Sequence, residues 1–115
     1  MKQLSILLIM SFVLATTVIA SAPITGKWEV VTFEVNGNCG MCKTTIETAL
    51  KNVEGIKFAV WNVDTKKITV KYNPNVIGLM DIHKKIAAVG YDTNKVKAED
   101  EVYNNLHQCC QYDRN

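Results

Sequence analysis

Between residues 28 and 96 the hydrophobic period of the chain switches back and forth between two and 3.6 residues, and that order leaves few folds open. Residues 28–35 read Trp-Glu-Val-Val-Thr-Phe-Glu-Val, rich in aromatic and β-branched side chains, which predicts a strand. Residues 44–53 carry Ile46, Ala49, Leu50 and Val53, the stripe of an amphipathic helix, with Gly55 placed to help end it. Residues 56–63 and 68–72 predict two more strands joined by a turn at Asp64-Thr65-Lys66-Lys67. Asn73-Pro74-Asn75 interrupts them and can cap a second helix over 76–89, with Leu79, Ile82, Ile86 and Val89 on its apolar stripe. Gly90 stops that helix, and residues 93–96 predict a short last strand. The order βαββαβ is an α+β, ferredoxin-like arrangement: a four-stranded antiparallel sheet with two helices on one face.

Side-chain alternation assigns the faces of that sheet. Val31, Phe33, Val35, Ala59, Trp61 and Val63 should face the helices, which turns Trp28, Val30, Phe58 and Val60 outward as an apolar patch. Residues 98–115 form a tail in which Glu99, Asp100 and Glu101 suit a helix start, because they complement its dipole. A tail helix of about twelve residues spans about 18 Å, close to one strand length. It can therefore run back along the sheet, cover the patch with Val102 and Leu106, and return Cys109 and Cys110 to the end where the first strand meets the first helix.

That junction is Asn36-Gly37-Asn38-Cys39-Gly40-Met41-Cys42. Two thiols three residues apart, between a strand and a helix, suit either soft-metal binding or disulfide exchange. The free N–H groups and positive dipole of a helix start favour a thiolate, the form that ligates. Lys43 adds a charge beside Cys42. Two sulfurs without further ligands in the loop suit Cu(I) or Hg(II), ions that accept low coordination. Structural Zn(II) usually takes four ligands, although Zn(II) stays on the list of cargoes. An oxidoreductase also uses C-x-x-C at a helix start. Here the middle residues are Gly40-Met41, no Trp precedes the pair, and the chain lacks the extra elements of a thioredoxin-like sheet.

Taken together, these residues resemble the heavy-metal-associated domain family of small copper chaperones, ATPase metal-binding domains and the periplasmic mercury-binding protein. The likeness runs over residues 28–97. It rests on Cys39-Gly40-Met41-Cys42, on Gly55-Ile56, Ala59, Asn62 and residues 67–74, and on Ala88-Val89-Gly90-Tyr91-Asp92. It implies that Cys39 and Cys42 ligate the metal and that Tyr91 sits close by. The family usually has a core-facing Met two residues before the first Cys. This chain has Gly37 there, which predicts a looser loop.

The remaining features set the context. Residues 1–22 start with Lys2, continue in an apolar run and end Ala20-Ser21-Ala22 before Pro23, the marks of a secretory signal peptide rather than a membrane anchor. Cleavage after Ala20 fits as well as cleavage after Ala22. The protein is then periplasmic or secreted, with residues 23–97 as its domain. The 115 residues carry 13 basic and 11 acidic side chains, a net charge of +2. This weak, even balance excludes a nucleic-acid binder.

All four Cys lie beyond the leader, in a compartment where thiols tend to oxidise, and their even count leaves structural disulfides open as well. Adjacent Cys109 and Cys110 are poorly spaced to bond each other. They remain incidental thiols or, with His107, a second metal site. His83, on the polar side of the second helix, is expected in solvent. No Ser-His-Asp set, phosphate loop or carboxylate pair stands out, so the chain does not read as an enzyme. The expected role is that of a carrier of Cu(I), passing its ion to a membrane transporter or another thiol-rich protein; the alternatives are an Hg(II)-binding transport component or a metal-sequestering protein without handover. It would work as a monomer or a metal-bridged dimer.

Overall fold

A computed structural model of the chain describes residues 27–114; the leader read over residues 1–22 lies outside the described residues. The elements run β1 (Glu29–Glu34), α1 (Gly40–Leu50), β2 (Ile56–Asn62), β3 (Lys67–Tyr72), α2 (Leu79–Ala88), α3 (Asp100–Asn104) and a 3-10 turn at Gln108–Cys110. The antiparallel sheet has the order β1-β3-β2. Its register stacks Phe33, Ile68 and Trp61 across one face, and Val31, Val70 and Ala59 in the next row of the same face. Both helices pack there. α1 contributes Cys42, Ile46 and Leu50, spaced four apart and all buried, and α2 contributes Ile82 and Ile86.

The β2–β3 turn forms because Asn62 Oδ1 accepts hydrogen bonds from the N–H groups of Asp64 (2.8 Å) and Thr65 (3.0 Å). β2 is an edge strand, and α1 covers part of that edge. Glu47 accepts from Trp61 N–H at 2.9 Å, and Lys43 donates to Trp61 C=O at 2.8 Å while pairing with Glu47 at 2.6 Å. Lys43 thus anchors the helix to the sheet.

Among the described residues the sheet has three strands, not four. The segment expected as the last strand meets β1 through one bridge, Val35 to Thr93. Thr93 is the reason. Its hydroxyl accepts from the N–H groups of Lys95 (3.1 Å) and Val96 (3.0 Å), and its own N–H bonds to Val96 C=O at 2.8 Å. These local bonds curl residues 93–96 into a turn and use up groups a strand would have paired.

His83 is buried, not solvated: it is 1% exposed, stacks on Phe33 at 3.9 Å between ring centroids, and sits 2.6 Å from Thr93 Oγ1. Burial, with Lys95 nearby, lowers its pKa and so favours the neutral imidazole.

The tail also departs from expectation. α3 is a single short helix of five residues, and the outer sheet face stays open, with Val30 60% and Val60 52% exposed. Leu106 instead packs beneath Gly90, whose φ of +105° and close approach leave no room for a side chain; a Cβ there would lie 2.9 Å from Leu106 Cδ2. Tyr112 is buried in the segment Gly90–Asp92. It accepts from Asp92 N–H and donates to Gly90 C=O, each at 2.8 Å, and stacks on Tyr91. Tyr103 meets Tyr112 edge to face and donates to its carbonyl. Arg114 grips both oxygens of Asp92, at 2.8 and 2.9 Å. Burial opposes the charge on Asp92, but Arg114 and the Ala98 N–H together outweigh it and hold its carboxyl below the usual range.

The loop with Gly37 is not loose. Trp61 is fully buried, and its indole donates from Nε1 to Val35 C=O at 3.0 Å. A Cβ at Gly37 would lie 2.9 Å from the indole Cζ2 and 3.3 Å from Cys42 Cβ. The indole therefore takes up the space a larger residue would need. Gly37→Met should lower stability by about 1–3 kcal/mol through overpacking. In a denaturation double-mutant cycle, combining it with Trp61→Leu should cost less than the sum of the two single changes. Strict additivity would show that the indole does not set the size of this site.

Candidate metal centre

Cys39 is the N-cap residue of α1, and Cys42 lies in its first turn. The two Sγ atoms are 3.8 Å apart, well beyond a disulfide bond of about 2.05 Å. All four cysteines are free thiols. Cys39 is half-buried and Cys42 fully buried, so the pair has one sulfur at the rim and one inside. The backbone N–H groups of Cys42 and Met41, unpaired donors of the helix start, hold the Cys39 thiol down to about 7. Asn38 N–H points at Cys42 Sγ, 3.4 Å away. The Lys43 ammonium, engaged by Glu47 and Trp61, belongs to the edge of the sheet and not to this cluster.

The tail arrives at the same place. Cys110 is 2% exposed, and its sulfur joins those of Cys39 and Cys42 in a cluster whose members all lie within 4.8 Å of one another. Asn38 Nδ2 donates to Cys109 C=O at 3.3 Å, tying the tail to the loop. Burial pushes the Cys110 thiol up to about 12. Cys109 is exposed, with its sulfur 3.9 Å from Met41 Sδ and 4.0 Å from Cys110 Sγ. Met41 is itself about half exposed. His107 is exposed and outside the cluster, so His107, Cys109 and Cys110 do not gather into a site of their own.

Tyr91 is fully buried, and its hydroxyl is the one buried side-chain oxygen or nitrogen without a hydrogen-bond partner among the described residues. Burial first, then the neighbouring thiols of Cys110 and Cys42, push its pKa up, so it stays a neutral phenol beside the sulfurs.

The convergence of Cys110 was only half legible. The expected return of the tail rested on a helix of about twelve residues along the sheet, which does not form, and nothing in the spacing distinguishes Cys110 from Cys109. The signal lies in Tyr112, two residues further on, whose burial turns Cys110 inward.

Free thiols gathered at a helix tip on a βαββα frame define a small soft-metal-binding domain. Residues 32–92 match the heavy-metal-associated domain family, and the chain belongs to that family. It is 31% identical over 55 residues to the copper chaperone CopZ of Staphylococcus aureus (strain bovine RF122 / ET3-1), covering 48% of this chain and 81% of the chaperone. It is 34% identical over 59 residues to a copper-exporting P-type ATPase of Staphylococcus saprophyticus, covering 51% of this chain but only 7% of the ATPase. Among solved structures, oxidized MerP from Ralstonia metallidurans CH34 superposes with a TM-score of 0.56 at 25% identity, over 59% of this chain and 96% of that one. The chain is a metal-binding domain with a C-x-x-C site, and not an enzyme. Residues 93–114, with Cys110, lie beyond the family match.

The lowered Cys39 pKa has a direct consequence. In the reduced, metal-free protein, iodoacetamide should alkylate Cys39 with a rate that reaches half its maximum near pH 7. A simple thiol reaches that point near pH 8.5. Mass spectrometry of the alkylated peptides across pH 5.5–9.5 reads this out. A midpoint for Cys39 above pH 8.5 would remove the helix start as its cause.

Proposed function

We propose that this protein is an extracytoplasmic carrier of a soft cation, Cu(I), held through Cys39 and Cys42. The observation that carries this reading is the pair of free sulfurs 3.8 Å apart at the tip of α1. Thiolates favour soft ions, Cu(I) among them, and the relatives include a copper chaperone and a copper-exporting ATPase. The apolar leader over residues 1–22 supports the periplasmic or secreted location.

Loading and release both follow ligand exchange. Each thiol that takes the ion gives its proton to solvent, and the copper stays Cu(I) throughout. Cys39 stands at the rim, so handover starts there: an incoming thiolate takes the ion as Cys39 lets go, and the buried Cys42 releases last. The acceptor is a membrane metal transporter or another thiol-rich protein. Its chemistry must be that of a thiolate pair able to add one sulfur at a time.

Cu(I) titration of the reduced protein against bicinchoninate should give one bound ion per chain. Cys39→Ser and Cys42→Ser should each weaken binding by at least about 100-fold, since even groups that merely orient a ligand are worth about 10–100-fold. Parallel titrations with Hg(II) and Zn(II) rank the cargoes. If reduced protein retains none of the three ions, the reading fails; if Zn(II) outcompetes Cu(I), the choice of copper fails. Cell fractionation of the full chain carrying a C-terminal epitope tag tests the location, with recovery in the cytoplasm counting against it.

A further inference from the structure

The Cys39–Cys42 pair does not stand alone. Cys110 brings a third sulfur, and the three lie mutually within 4.8 Å.

Chance proximity of a loose terminus does not explain the third sulfur, because the tail is fastened on both sides of it. Before Cys110, Cys109 C=O receives the Asn38 amide, and the turn that presents Cys110 is closed by its own N–H to His107 C=O at 2.7 Å. After it, the Tyr112 hydroxyl is bonded twice to Gly90–Asp92, and Arg114 clamps Asp92. A second sign is the buried Tyr91 hydroxyl, which has no nitrogen or oxygen partner and has only the Cys42 and Cys110 thiols beside it. Buried donors of this kind are uncommon, and a ligating thiolate is a natural acceptor for one.

We propose that Cys110 is a third ligand of the ion held by Cys39 and Cys42, so that the chain's own tail closes a three-sulfur Cu(I) site. This rests on the carrier reading above and adds to it a retaining device. Cys110 adds a buried third sulfur to the two that hold the ion, so after exchange begins at Cys39 the tail sulfur must also let go before the ion leaves. As Cys110 ligates, its thiol proton passes to solvent, and no electron changes hands.

The test uses the full chain from residue 23 onward, reduced and loaded with one Cu(I), at a concentration where it elutes as a monomer. X-ray absorption should count three sulfurs around copper in the native chain and two in Cys110→Ala. In competition with bicinchoninate, Cys110→Ala should bind Cu(I) about 10-fold or more weakly than the native chain and give up its copper faster. Cys109→Ser, which changes an exposed thiol, should leave the sulfur count, the affinity and the release rate as they are. Circular dichroism reports whether each variant folds; if Cys110→Ala does not, the native sulfur count decides by itself.

Two sulfurs in the loaded native chain overturn this inference and leave the carrier reading intact. A third sulfur lost with Cys109→Ser but kept in Cys110→Ala assigns the ligand to Cys109 and overturns it as well. No copper bound by the native chain removes the carrier reading itself, and this inference with it.

Discussion

The geometry of the thiols depends on one contact, the burial of the Trp61 indole beneath the loop that carries them. The ring fills the space over Gly37, which also lies against the base of Cys42, and its Nε1 holds Val35 C=O where β1 ends. The backbone of Trp61 is in turn pinned to α1 through Glu47 and Lys43. One residue of an edge strand therefore fixes the end of β1, the path of the loop and the first turns of the helix. Cores are close-packed, and a rigid bicyclic ring transmits position better than a flexible thioether. The loop consequently needs no anchoring side chain of its own, and a glycine serves where a larger residue would collide.

A second constraint follows from the missing strand. With residues 93–96 curled by Thr93, the sheet ends at β1 and the segment Gly90–Asp92 loses the neighbours that a full strand would provide. Asp92 C=O still meets Asn36 N–H at 2.9 Å, which ties this segment to the start of the metal loop. Tyr91 is thereby fixed between α2 and the loop, with its hydroxyl directed at the sulfurs.

How much of this was readable from the sequence depends on how local each cause is. The existence of both helices, the β2–β3 turn and the position of Cys39 and Cys42 follow from periodicity and turn chemistry within a dozen residues, but α2 starts later than expected, at Leu79 behind Gly78, because residues 73–77 close a turn of their own instead of capping it. α1 starts earlier than its apolar stripe implied, because Gly40, Met41 and Cys42 form its first turn. The solvent expected around His83 follows from a helix face that looks polar; the ring it stacks on, Phe33, lies far away in sequence. The last strand failed because Thr93 bonds its own neighbours, a competition that β-propensity ignores. The looseness expected at Gly37 failed because the compensating ring lies 24 positions further along the chain.

The tail's choice of surface follows from an asymmetry of costs. Covering Val30 and Val60 would bury apolar area, but exposed apolar atoms are ordinary, making up more than half of a folded protein's surface. Trp28 and Phe58 are already more than half covered, Trp28 in part by the Lys57 ammonium 5.5 Å from its ring. The segment Gly90–Asp92 presents a different problem. Asp92 N–H and Gly90 C=O lie in buried backbone, and each such group left unpaired costs about 1–3 kcal/mol. One hydroxyl from Tyr112 satisfies both, and its ring adds contacts with Tyr91 and Tyr103. A tail that can close two buried backbone groups at once therefore docks at the loop end, and Cys110, two residues earlier, is carried to the sulfurs of α1 as a consequence of that packing.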